Sequence, residues 1–86
     1  MNQEENLIQA LGDTRKKIDG LKGLHIPVAL KTIEDYEKAE VDEHFIEQQK
    51  VQLQKLYNMI DELEARAERL QQRLDSYNSA GKEVTQ

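Results

Sequence analysis

Apolar side chains recur through the second half of the chain at alternating intervals of three and four residues. Ile46, Gln49, Leu53, Leu56, Ile60, Leu63, Ala67, Leu70, Leu74 and Tyr77 are ten successive positions of this kind, and Gln49 is the one polar member. On a helix of 3.6 residues per turn this spacing draws one narrow stripe, the pattern that joins helices by knobs-into-holes packing. The pattern predicts a helix over residues 42–78, with Asp42 as its N-cap and Gly81 as its stop.

The first half repeats the spacing. Leu7, Leu11, Thr14, Ile18 and Leu21 predict a helix over residues 3–22. Gly12 and Gly20 weaken it, at about 1 kcal/mol each relative to Ala, so it needs a partner stripe. The segment Gly23-Leu24-His25-Ile26-Pro27 then interrupts the pattern. Gly23 is suited to a left-handed helix end, and Pro27 to a first helical turn. A second helix is expected over 27–39. Its apolar positions Ala29, Ile33 and Tyr36 are one residue out of phase with the first stripe, so the interruption reads as a phase-shifting joint within one arm.

Two arms of similar length meet near Glu40–Asp42, which predicts an all-α, antiparallel helical hairpin or coiled coil with its first arm broken at Gly23–Pro27. If position i faces position 81 − i, Leu7 meets Leu74, Leu11 meets Leu70, Ile18 meets Leu63 and Leu21 meets Ile60, while Thr14 falls on Ala67. Residues 1–81 form the single expected domain and 82–86 a flexible tail. Phe45, Val51, Tyr57 and Met59 lie outside the main stripe. They call for a further layer, supplied by the second helix folding across or by another subunit. An 86-residue chain has a thin core, so a homo-oligomer is expected.

Charge changes the picture at one place. Residues 31–50 hold seven acids against three lysines, close to the whole formal charge of −5. An acidic balance of this kind argues against direct nucleic-acid binding, which draws its affinity from basic residues and counterion release. Glu34, Glu37, Glu40, Asp42, Glu43 and Glu47 form the candidate partner-binding surface, suited to a basic or nucleic-acid-binding protein. The plainer reading is a solvated helix face with acids at a helix start. His44, beside Glu40 and Glu47, has the residue types for a divalent metal. The turn is expected to separate them, so no metal and no cofactor are assigned.

Arg15, Lys17, Arg66, Arg69 and Arg73, together with His25 at the joint, are the candidate ligand-binding residues for an anionic small molecule or nucleotide held between subunits. Interleaved acids favour a salt-bridged solvent face instead. His25 is expected to be buried against a freed carbonyl of the joint. The chain lacks Cys, a Ser/His/Asp set and a glycine-rich phosphate loop, so it does not read as an enzyme. Its acidic start does not resemble a secretory leader, and a cytoplasmic protein without membrane contact is expected. The function that follows is stoichiometric protein binding by an adaptor, assembly factor or inhibitor. The alternatives are an anion-binding oligomer and a purely structural scaffold.

Overall fold

The computed structural model describes residues 2–84, and the side chains of residues 2–79. Helix α1 spans Gln3–Gly20, a five-residue π-helical turn spans Leu21–His25, α2 spans Ile26–Lys38, and α3 spans Glu43–Val84. α1 and α2 form one kinked arm, and both pack on α3 to give an antiparallel hairpin measuring 68 × 17 × 15 Å.

Each helix boundary has a local cause. The Asn2 side chain accepts a hydrogen bond from the Glu5 N–H at 2.8 Å, so α1 starts with a capped donor. At the far end of the arm, the Val41 N–H donates to the Tyr36 carbonyl at 3.1 Å and the Glu40 N–H to the Glu37 carbonyl at 3.2 Å. This pair of bonds is a Schellman motif, and Glu40 holds its left-handed position with φ of 53°. The Asp42 carboxylate then accepts from the His44 N–H at 2.9 Å and caps α3, as its sequence position predicts.

The joint takes a different form from the expected left-handed stop at Gly23. No described glycine has a positive φ, and the chain stays right-handed through Gly20, His25 and Ile26. Instead the Ile26 N–H donates to the Leu21 carbonyl, five residues back. Pro27 explains why the helix widens there. It has no N–H for the Gly23 carbonyl, and its ring would crowd that carbonyl in a regular α-helix. The wider turn inserts one residue into the helical count without ending the helix.

That inserted residue keeps the buried stripe continuous. Leu11, Thr14, Ile18 and Leu21 are buried on one side of the joint, and Ile26 and Ile33 on the other. An uninterrupted helix would have turned His25, four residues after Leu21, towards α3. The π-turn brings Ile26 there instead, where it packs with Leu21 and Ile60. His25 is consequently exposed, contrary to its expected burial.

The arms are held in one register by polar contacts across the hairpin. Lys22 Nζ lies 3.4 Å from the Glu64 carboxylate, and Arg15 donates to the Gln71 side-chain oxygen at 3.0 Å. The two contacts are seven residues apart on both arms, so they belong to one antiparallel alignment. Thr14 is the least exposed of the described residues at 3%, and its hydroxyl donates to the Ala10 carbonyl at 2.8 Å, so its burial leaves no unmet polar group.

Three further expectations change. Tyr77, the last position of the long stripe, is 38% exposed, because it lies beyond the last buried layer of α1. Helix α3 runs through Gly81 to Val84, so Gly81 does not stop it; of the expected tail 82–86, residues 85 and 86 lie outside the described residues. The second helix does not fold across the hairpin, because the π-turn carries it straight on along α3. Phe45, Val51, Tyr57 and Met59 therefore remain 41–53% exposed.

Candidate functional site

Candidate binding chemistry falls at three heights along the hairpin: the tip, the middle beside the π-turn, and the stem towards the chain ends.

At the tip, all six predicted partner-binding acids are exposed. They do not form one uniform field. Glu34 pairs with Lys38 at 2.8 Å, and Glu47 approaches Lys50 at 3.7 Å. The neighbouring Asp35 pairs with Lys31 at 3.0 Å. Asp35 accepts a hydrogen bond from that ammonium and adds its charge, so the Lys31 pKa is raised above its ordinary value. Asp42 is engaged in capping α3. Glu37, Glu40 and Glu43 remain without a basic partner among the described residues. Beside them Phe45 is 51% exposed, and its ring meets the His44 imidazole edge-on with centroids 5.7 Å apart.

The turn keeps Glu40 off the helix that carries His44 and Glu47. No group of three metal-ligating side chains comes together among the described residues. The His44 Nε2 instead lies 3.2 Å from the Gln48 side-chain nitrogen.

The stem separates the predicted basic set. Arg66, Arg69 and Arg73 line one recess along a single flank of α3. Arg69 and Arg73 continue into an open groove of about 920 Å³, where Gln3, Asn6 and Ala10 of α1 form the opposite wall. None of the three arginines pairs with a carboxylate among the described residues. Arg15 lies on the other flank, engaged with Gln71, which in turn donates to Asp75 at 3.0 Å. Lys17 is exposed and borders neither recess. His25 sits at the π-turn, nearer the tip, and is not part of the set.

The middle of the hairpin carries a feature that sequence reading only half found. Leu24 is 60% exposed, Val28 55%, Leu30 47%, Met59 47% and Tyr57 41%. Tyr57 and Met59 are legible as positions outside the α3 stripe. Leu24, Val28 and Leu30 are harder to find, because their orientation depends on the residue inserted at the π-turn. Among the described residues, no helix is long and apolar enough to cross a membrane. Comparison of the chain with protein-family models, with curated proteins and with solved structures gives no match.

Proposed function

We propose that this hairpin is a stoichiometric protein-binding partner, an adaptor, assembly factor or inhibitor, that docks through its tip. The observation that carries the reading is the pairing of unneutralised acids with exposed apolar surface at one end. Glu37, Glu40 and Glu43 have no basic partner there among the described residues, Phe45 is about half exposed beside Glu43, and Val51 is about half exposed further along α3. An apolar anchor ringed by charge is the composition of a protein interface: the anchor supplies affinity and the charges supply rate and partner choice. The complementary surface would be basic with an apolar pocket, as on a nucleic-acid-binding protein.

Two baits test this. One is the wild-type chain, and the other carries Glu37→Lys, Glu40→Lys, Glu43→Lys and Glu47→Lys, with light scattering used to check that both have the same mass. A partner captured stoichiometrically by the first and lost by the second supports the tip. A partner held equally by both moves the interface elsewhere, and no partner with either refutes the reading.

A second reading rests on the grouping of Arg66, Arg69 and Arg73 beside Gln3 and Asn6. Three unpaired guanidiniums with amide groups opposite suit an anionic small molecule. Inorganic triphosphate should then raise the melting temperature of the wild type by mass action, and leave a variant with Arg69→Ala and Arg73→Ala unmoved.

A further inference from the structure

The two flanks of the stem are chemically unlike, and the contacts across the hairpin establish which residues lie on each. Lys22 meets Glu64, and Arg15, Gln71 and Asp75 form a second hydrogen-bonded group seven residues away on both arms, so all five share one flank. Asp61 and Glu68 stand three residues before and four after Glu64, so they flank it on the same side of α3. Arg66, Arg69 and Arg73 share a recess. Arg66 and Arg73 precede the stripe residues Ala67 and Leu74, whereas Glu64 and Gln71 follow Leu63 and Leu70, so that recess is on the opposite flank. Glu62, one heptad before Arg69, is an interleaved acid there. One helix therefore carries an acidic row, Asp61, Glu64 and Glu68, and a basic row, Arg66, Arg69 and Arg73. Both rows step by three and then four residues in the same chain direction. Neither Asp61 nor Glu68 has a basic partner among the described residues.

The apolar band divides between the same two flanks. Tyr57 is one heptad before Glu64, which places it on the acidic flank. Leu30 follows Lys22 by a heptad plus the residue inserted at the π-turn, which places it there too. Met59 is one heptad before Arg66, which places it on the basic flank. Leu24 lies inside the π-turn, three residues after Leu21 and two before Ile26, so it stands between that flank and the outer face.

We infer that the partner of the basic flank is the acidic flank of a second copy, with the two α3 helices side by side and running in the same direction. Setting Arg66, Arg69 and Arg73 against Asp61, Glu64 and Glu68 staggers the copies by five residues, about 7.5 Å at the helical rise. The same stagger brings the apolar sets together. Leu24 and Met59 of one copy fall at the height of Leu30 and Tyr57 of the next, within about one helical turn of 5.4 Å. The charged rows set the alignment, and the apolar sets are compatible with it. Two copies running in opposite directions about a twofold axis would set like flank against like flank, Arg66, Arg69 and Arg73 facing their own copies, which the charges oppose. Exposed ion pairs add little to affinity but choose the register, while the apolar band supplies the association itself. The contact joins unlike patches, so each added copy leaves one flank of each kind free, and assembly grows with concentration.

Sedimentation and light scattering on the full chain test this contact, with circular dichroism confirming helicity for every variant. The wild type is expected to rise above its 10.0 kDa chain mass with concentration and to pass twice that value. One variant carries Arg66→Glu and Arg73→Glu, and another Asp61→Lys and Glu68→Lys. Each alone should stay at 10.0 kDa, and an equimolar mixture of the two should associate again. Rescue on mixing is the result a generic loss of solubility or folding does not produce. A wild type that is monomeric throughout, or that stops at a closed dimer, overturns the contact. So do single variants that associate like the wild type, or a mixture that stays monomeric. An arginine variant that loses association while the acidic variant keeps it assigns the basic flank to another acidic surface and also overturns it. None of these outcomes depends on whether the tip captures a partner.

Discussion

The stem and the tip half of this hairpin are built from the same heptad stripe, but different interactions set their geometry. In the stem, two polar contacts cross from arm to arm, Lys22 to Glu64 and Arg15 to Gln71, the second continued along α3 to Asp75. In the tip half, the ion pairs run along a single helix: Lys31 to Asp35, Lys38 to Glu34 and Lys50 to Glu47. Pairs of the second kind favour each helix by a few tenths of a kcal/mol and say nothing about how the arms align. Alignment near the tip comes from the Schellman turn and from Ile26 and Ile33 against α3. One stripe thus tolerates two ways of holding register, and only the tip half needs a change of helical phase to stay packed.

A change of helical count should separate the two halves most strongly. Deleting Lys16 from the stem rotates everything on one side of it by about 100°, which takes one run of stripe residues off α3. Loss of the cooperative melting transition, followed by circular dichroism, is the expected result. Deleting Gly23 together with Pro27→Ala should do the reverse. It removes the inserted residue and the reason for the wide turn, so Leu21 and Ile26 fall four apart in a regular helix. Melting at or above the wild-type temperature is expected, and unfolding of this variant would refute the phase account of the joint.

Ile60→Ala probes the layer where the halves meet. Ile60 is 5% exposed and packs with Leu21 and Ile26, so its truncation should cost about 2–5 kcal/mol. Leu74→Ala, at a half-buried position of the open end, should cost less. Urea titration of the two variants measures the difference. Equal costs would mean that the junction layer is no more important than the open end.

Glu40→Gly is a smaller and stabilising change. Glu40 sits at a φ of 53°, which costs a side-chain-bearing residue about 1 kcal/mol relative to glycine. The variant should melt a few degrees higher, and it also removes one acid from the tip. The smallest effect is expected from the stem pairs. A double-mutant cycle on Lys22 and Glu64, both about half exposed, should return a coupling of about 0.5 kcal/mol that falls with added salt.

Much of the fold can be read from the residues. The paired stripes, the antiparallel hairpin, the Asp42 cap and the phase shift near Pro27 all follow from spacing and local backbone chemistry, because helices with one apolar stripe have few ways to bury it. The form of the joint does not follow in the same way. Gly23 has the chemistry of a left-handed stop, and the π-turn prevails because it keeps Leu21 and Ile26 on α3 at once. The tip acids are visible as a run of charge, but which of them retain free charge depends on lysines placed three or four residues away.

The stripe, the two arms and the position of the turn follow from the residues alone, since these depend on interactions within a few residues and on a period of 3.6. What each exposed side chain faces follows only from the packing of one arm on the other. Arg15 and Arg66 look alike in the sequence, yet one reaches across to Gln71 and the other joins an unpaired row on the opposite flank. The physical reason is that a heptad specifies the buried edge of a helix, whereas the character of its flanks emerges when a second helix covers that edge and divides the remaining surface in two.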